Sequence, residues 1–388
     1  MIGTRSAAPG DGNAVLLGRA WRPDVGGPSI VTLRGGEVID ITAKGSATAR
    51  DVCELEDPAG YVSAASGPVL GTVAALLANS DERKRDHARP WFLAPIDLQA
   101  IKAAGVTFVD SLLERVIEEQ ARGAPEKAAD IRREVMALLG GDLRSVKPGS
   151  EAAARVKAAL VARGAWSQYL EVGIGPDAEI FTKAQPLSAV GAGASIGILA
   201  DSRWNNPEPE LVLAIDSRQR IKGVTLGNDV NLRDWEGRSA LLLGRAKDNN
   251  ASCAIGPFIR LFDPGFGLDR ARRIDVAVEV EGEDRFRLTG TSPMPRISRD
   301  FLELAAAAMG EAHRYPDGLV LFVGTMFAPI QDRDRPGEGF THKPGDVVSI
   351  AASELGCLSN RVALVGETEP WSFGLAALMR NLAARGLL

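Results

Sequence analysis

Apolar and polar positions divide the chain into a mixed N-terminal stretch, a helical middle and a long strand-rich end. Residues 13 to about 85 combine short apolar runs, AVLLGRAW and SIVTLRGGEVIDI, with a helix-like stretch, GPVLGTVAALLANSDER. That mixture predicts a small N-terminal α+β unit. A charged, proline-containing connector, DERKRDHARPWFLAP, follows. It marks the expected boundary between a domain of residues 1–88 and a larger one of residues 89–388. From about 97 to 165 the pattern is helical, and residues 110–165 read as a helical lid or insertion. In SLLERVIEEQARG, Leu112, Leu113, Val116 and Ile117 form one apolar stripe, and Gly123 stops the helix. EKAADIRREVMALLGG predicts a second helix, ending at Gly140 and Gly141. KPGSEAAARVKAALVARG predicts a third, N-capped by Ser150 and stopped by Gly164.

From residue 166 the texture changes to strands separated by Gly and Pro turns. A hairpin spans 208–229, ARRIDVAVEVEGEDRFRLTG alternates cleanly, and GLVLFVGT and DVVSIAAS supply further strands. One helix, near 299–310, interrupts them. Short strands at turn spacing predict an α+β fold with a mainly antiparallel sheet, not a doubly wound one. Gly191, Gly193 and Gly197 have one residue too many for a dinucleotide fingerprint and lack the strand before and helix after, so they read as a turn.

At 388 residues and 45% hydrophobic content the chain can bury a substantial core. A net charge of −5 and the lack of a basic patch argue against nucleic acid or an anionic membrane as partner. No stretch reaches 18 uninterrupted apolar residues, and the N-terminus lacks the apolar run of a signal peptide. Cys53, Cys253 and Cys357 are far apart and without metal spacing, as expected for buried free thiols in a reducing cytoplasm.

Chemistry concentrates in PEPELVLAIDSRQRIKGVTLGND. A regular hairpin centred between Arg218 and Gln219 pairs position 208 with 229, so Glu208 faces Asp229. Strand alternation then puts Glu210 on the same face as Glu208, roughly 7 Å away. Two readings stay open: a solvated sheet face, or three carboxylates gathered around a hard divalent cation such as Mg²⁺, Mn²⁺ or Ca²⁺. NLRDWEG adds Arg233, Asp234 and Glu236 to the same rim. Lys247 follows by one connection; it is either solvated or placed to balance an enolate beside a metal. Thr325 closes an apolar strand, either as an ordinary strand-end residue or as part of a carboxylate-binding mouth. Glu114, Arg115, Glu118 and Glu119 occupy the polar side of the first helix, which is either a solvated face or a lid delivering a base. Lys183 joins the candidates for substrate binding. His87, His313 and His342 are scattered and read as structural or surface residues.

PEPEL, GNDVNLRD, AKDNNASCAIGP, FVGTMFAP and HKPGDVV, in that order, resemble the fumarylacetoacetate hydrolase superfamily over roughly 100 to 360. The resemblance implies a mixed β-roll or sandwich domain behind a small N-terminal domain, assembled as a homodimer or homotetramer. It implies metal ligation by Glu208, Glu210 and Asp229, and it places family residues on Arg233, Lys247 and Thr325. Where family hydrolases show G-x-N-Y-x-x-H, this chain has Gly105 to Ser111, with Ser111 in the histidine's place. Without the imidazole, water attack loses its usual base, whereas metal-assisted enolisation does not need it. The chain looks most like the 2-keto-3-deoxy-pentonate dehydratase branch, which implies a 2-keto acid substrate and Glu114 as acid/base with Ser111 orienting. C–C hydrolysis of a 2,4-diketo acid is the alternative.

Overall fold

The structure, a computed structural model, describes residues 6–122, 127–128, 130–131, 133, 146–162, 164 and 166–388. Four strands and three short helices begin the chain: β1 (Leu16–Arg22), β2 (Gly27–Arg34), β3 (Glu37–Asp40), α1 (Ala49–Glu54), α2 (Pro58–Ala64), β4 (Val69–Thr72) and α3 (Val73–Ser80). The first half of the GPVLGTVAALLANSDER segment is thus a strand, and Thr72 caps the helix that follows, accepting from Ala75 N. Next come β5 (Trp91–Leu93), β6 (Ala100–Gly105), α4 (Val109–Ala121), α5 (Glu151–Ala162), α6 (Gln168–Ile174), β7 (Glu179–Ala184) and β8 (Ser195–Ile198).

Two expectations change here. Residues 100–105 form a strand, not the start of the helical zone. AIKAAG lies beside the strand Leu319–Phe322 in parallel pairing, and this tertiary register overrides the segment's alanine-rich helix propensity. The strand-rich region begins with a helix, α6, capped by Ser167. The Ser150 cap and the Gly164 stop of α5 are present, with Gly164 at φ +65°. The second expected helix, its glycines and Gly123 lie outside the described residues, apart from a few positions.

The remaining elements are β9 (Asn205–Asn206), β10 (Pro209–Ile215), β11 (Ile221–Asp229), β12 (Asn231–Leu232), α7 (Arg233–Glu236), α8 (Leu243–Lys247), β13 (Cys253–Leu261), α9 (Leu268–Ala271), β14 (Asp275–Glu281), β15 (Arg287–Pro293), α10 (Phe301–Ala308), β16 (Leu319–Phe322), β17 (Val347–Ala352), β18 (Gly356–Leu364) and α11 (Leu375–Ala384). The main sheet has the order β4-β3-β2-β1-β13-β11-β10-β16-β6-β7, with β5 on β1; a second sheet has the order β15-β14-β17-β18-β8. Pairing is antiparallel except at β16–β6 and β18–β8. The strand pattern therefore extends past DVVSIAAS to β18, and the architecture is the expected α+β with mainly antiparallel sheets.

The two sheets pack face to face over one core that includes Leu211, Leu213, Leu226, Val278, Ile350 and Leu358. The central strands β10, β13 and β16 are buried along their whole length. That burial explains why they read as continuous apolar runs without alternation. The site sits at one end of this buried centre.

Candidate metal centre and active site

The β10–β11 register decides the site. Pro209 lies opposite Asn228 and Glu210 opposite Gly227, while Asp229 N donates to Glu208 O at 3.1 Å. The pairing expected from the hairpin centre therefore holds at this end. Toward the turn it slips, with Ile215 opposite Ile221, because a bulge absorbs one residue there. Period-two alternation brings Glu208 and Glu210 to one face, and Asp229 joins them across the pair. One oxygen from each of the three carboxylates lies within 4.8 Å of the others. All three residues are at most 3% exposed, which removes the solvated-face reading.

Burying three like charges requires compensation. Lys247 supplies part of it: its Nζ stands 2.5 Å from Glu208 Oε2 and 3.0 Å from Asp229 Oδ2. Lys183 Nζ lies 2.9 Å from Asp229 Oδ1, and Arg115 donates to Glu208 Oε1. Among the described residues, Glu210 has no cation within ion-pairing distance. Its Oε2 accepts from Gly324 N at 2.6 Å. Gly324 must be glycine there: its φ is +92°, and a Cβ would stand 2.0 Å from Thr107 Oγ1. The electrostatic outcome differs within the trio. Burial works to raise the Glu208 carboxyl, but Lys247 and Arg115 outweigh it and hold it at about 2. Glu210 is pushed well up, by burial first and then by the charges of Asp229 and Glu208. This donor set, three buried carboxylates without imidazole or thiolate, suits a hard divalent cation.

Helix α4 forms one wall, and its polar side is not solvated. Leu112, Leu113, Val116 and Ile117 pack inward on one stripe. Ser111, Arg115 and Glu118 turn toward the acids, at spacings i, i+4 and i+7. The Arg115 guanidinium bridges Glu118 Oε2 and Glu236 Oε2, both at 2.7 Å, as well as Glu208. That i, i+4, i+7 spacing is legible in the sequence as one polar side of the helix, and packing against the sheet is what turns that side toward the site. The Ser111 hydroxyl donates to Phe108 O at 2.9 Å and also lines the cavity.

The cavity has two connected halves. The inner half is lined by the trio, Lys247, Glu179, Glu236, Gly105, Gly324 and Thr325, among others. The outer half contains Glu114, Glu118, Asn206, Arg233 and Phe327; Ser111, Arg115, Glu208 and Thr325 border both. Arg233 is 2% exposed, stacks over Trp204 at 4.3 Å and pairs with Glu118 at 2.6 Å. Glu114 lies 3.8 Å from it. One rim candidate, Asp234, and one substrate-binding candidate, Lys183, lie elsewhere. Asp234 turns away to accept from Ser202 Oγ and Arg203 N. Lys183, fully buried behind Asp229, is not among the lining residues and reaches the site only through that carboxylate. Glu179 was not visible in the sequence, because its place depends on a β6–β7 pairing across more than 70 residues. Burial, and then the charge of Glu236, pushes its carboxyl up to about 7. The histidines stay outside the site, with His342 buried against Asp346.

Residues 173–363 match the family model described as fumarylacetoacetate (FAA) hydrolase C-terminal. Among curated proteins, the chain is 32% identical over 180 residues to "2-dehydro-3-deoxy-D-arabinonate dehydratase" of Saccharolobus solfataricus, covering 46% of this chain and 57% of that protein. It is 33% identical over 201 residues to "Probable 2-keto-3-deoxyxylonate dehydratase" of Haloferax volcanii, covering 51% of this chain and 64% of that protein. The matched stretch thus spans less than two thirds of either relative. Among solved structures, "2-keto-3-deoxy-D-arabinonate dehydratase complexed with magnesium and 2,5-dioxopentanoate" superposes with a TM-score of 0.60 at 22% identity, covering 90% of this chain and 99% of that one. The likeness at this identity concerns the fold. No helix of the described residues is long and apolar enough to cross a membrane. Residues 173–363 are thus similar to the fumarylacetoacetate hydrolase C-terminal family, and the fold built around the acidic trio is shared with the solved 2-keto-3-deoxyarabinonate dehydratase.

Proposed function

We propose that the chain is a divalent-cation-dependent hydro-lyase that dehydrates a 2-keto-3-deoxy-pentonate, arabinonate or xylonate, to 2,5-dioxopentanoate. The observation that carries this reading is the buried Glu208–Glu210–Asp229 trio with the Lys247 ammonium between two of its members. Both curated relatives are dehydratases of such acids by name, and the solved neighbour is a complex with magnesium and 2,5-dioxopentanoate. Serine in place of histidine at position 111 supports dehydration over hydrolysis, since water attack then lacks its base.

In this reading Glu208, Glu210 and Asp229 hold the cation, Mg²⁺ in the first instance. When bound, it polarises the substrate's keto group and so acidifies the neighbouring carbon. Lys247 holds a fixed positive charge beside the keto oxygen, where negative charge grows during reaction. Arg233 and Thr325 bind the polar tail of the substrate. Lys183 keeps Asp229 in place by its ion pair. Glu114, with Ser111 beside it, serves the leaving hydroxyl from the outer half. Residues 110–165 act as a lid over a catalytic domain of 89–388, behind the unit of residues 1–88. The assembly is a homodimer or homotetramer in the cytoplasm.

The test is a product analysis. Incubation of 2-keto-3-deoxy-D-pentonate with protein and Mg²⁺ gives one keto-aldehyde of the same carbon count by mass. Chelation and Glu208→Gln each abolish it. Two carbon fragments identify a C–C hydrolase instead, and full turnover after chelation removes the metal from the chemistry.

A further inference from the structure

Resting on that reading of the site, we propose that Asn206 selects substrates by the hydroxyl at the far end of their carbon chain. Its amide oxygen accepts a hydrogen bond from the terminal, C5 hydroxyl of the keto acid. The class so favoured is 2-keto acids with a neutral, hydroxylated tail, over those that end in a methyl or a carboxylate.

Asn206 stands two residues before Glu208, and β9 fixes it there by pairing it with Asn231 of β12. It is 2% exposed and lines the outer half of the cavity, not the inner half that holds Glu210 and Asp229. One contact decides which way its amide faces. Nδ2 donates to Pro207 O at 2.8 Å, and a carbonyl can only accept, so the nitrogen end is turned to the backbone. The opposite end is Oδ1, which is buried and has no hydrogen-bond partner among the described residues. A buried acceptor left in that state costs about 1–3 kcal/mol. A ligand that brings the missing donor recovers that cost.

Other polar groups of the outer half are engaged. Ser111 donates to Phe108 O, Arg115 bridges three carboxylates, and Thr325 Oγ1 accepts from Phe327 N. Arg233 Nη2 makes no well-directed hydrogen bond, although Glu118 Oε1 stands 2.6 Å from it. The outer half therefore offers an unmet acceptor and an unmet donor. A hydroxyl can serve both, donating to Asn206 Oδ1 and accepting from Arg233 Nη2. A methyl serves neither. A carboxylate has no proton to donate, and it would join Glu114, Glu118 and Glu208 in a space with only two guanidinium groups.

The chemistry also chooses between the two hydroxyls of the substrate. The C4 hydroxyl takes up a proton as it leaves, so it needs a donor, which an amide oxygen is not. The C5 hydroxyl stays on the carbon chain and needs only to be held. With C1 and C2 at the trio, it is also the hydroxyl that reaches furthest into the outer half.

The experiment compares kcat/KM for 2-keto-3-deoxy-D-pentonate and for 4-hydroxy-2-oxopentanoate, which keeps the leaving hydroxyl and lacks the terminal one. Wild type prefers the pentonate by about 30-fold or more, the size of one buried hydrogen bond left unmade. Asn206→Leu, close in volume but without the acceptor, brings that ratio to within about threefold of one. The fall is in the pentonate and mainly in its KM, as for an interaction made in ground and transition states alike. Calorimetry with Mg²⁺ and 2-oxopentanoate, which has no hydroxyl, gives the variant an affinity no weaker than wild type. A wild type indifferent to the terminal hydroxyl overturns the proposal without recourse to any variant. An equal loss on both substrates in Asn206→Leu also overturns it, and makes Asn206 a support for Glu208. If wild type binds no 2-keto acid by calorimetry, the reading of the whole site fails and takes this proposal with it, a result distinct from failure of Asn206 alone.

Discussion

Glu210 shows how the site manages charge at the level of single groups. Its two companions each have a lysine, but its own carboxyl rests on one backbone amide and is pushed well above the ordinary carboxylate range by burial and by Asp229 and Glu208. Without a cation, its negative charge is a liability; with one, it is a ligand. Glu210→Gln keeps the shape and removes the charge. The metal-free variant therefore melts no lower than wild type. Saturating Mg²⁺ raises wild-type stability, by about 2.7 kcal/mol at a hundredfold excess over Kd, and leaves the variant unmoved. Calorimetric melting with and without Mg²⁺ reads both outcomes, and a variant stabilised like wild type removes Glu210 from the ligand set.

At the scale of elements, the loop between β16 and β17 depends on one buried polar network. Arg333 grips Asp346 with two contacts of 2.7 Å, and His342 Nδ1 lies 3.2 Å from the same carboxylate. The loop also reaches the site region, since His342 N donates to Asn205 Oδ1 just before the metal-binding hairpin. Burial works to raise Asp346, but the hydrogen bonds from Arg333 and His342 prevail and hold it at about 2. A carboxyl depressed in the fold contributes stability above its ordinary range near 3.8, and that contribution is lost as pH falls toward 2. His342, depressed by burial, acts in the same direction at higher pH: its contribution is lost as pH falls through the ordinary histidine range. Asp346→Asn removes one of the two carboxylates that hold Arg333, the other being Asp284, so urea denaturation at pH 7 shows a loss of about 2 kcal/mol. The variant's stability is also flatter between pH 4 and pH 2. A variant with an unchanged acid limb shows that this pair does not govern the loop's stability.

Over the whole molecule, the first and last segments are joined to the centre. β1 pairs with β2 and also with β13, so the N-terminal strands run on into the main sheet. The C-terminal helix α11 returns to the same region. Leu378 and Leu382 bury against Ala47, Leu98 and Leu187, Asn381 Nδ2 donates to Val25 O at 2.8 Å, and Arg385 Nη1 to Pro28 O at 2.6 Å. Leu382→Ala removes the centre of that contact and lowers stability by about 2 kcal/mol or more. Because the helix is remote from the cavity lining, Mg²⁺ affinity is unchanged. Paired urea denaturation and Mg²⁺ titration test this, and an altered affinity would show that the C-terminal helix reaches the metal site.

Local pattern by itself determined the elements whose information is short-range. The apolar stripe placed α4, the Ser150 cap and Gly164 stop placed α5, and alternation placed β14 and β15. The trio was legible for the same reason. Alternation puts Glu208 and Glu210 on one face. A hairpin centred between Arg218 and Gln219 brings in Asp229, a register that holds at this end because the bulge near the turn restores it. Only the tertiary structure decided the other walls of the cavity. Whether AIKAAG is strand or helix depends on β16, more than 200 residues away, and with it the placement of Gly105 opposite Glu179. Whether the polar side of α4 meets water or three buried acids is likewise invisible in the helix itself. The charges of Arg115 and Glu118 look alike in either setting, and only packing against the sheet turns them inward, where burial compels each to find its partner.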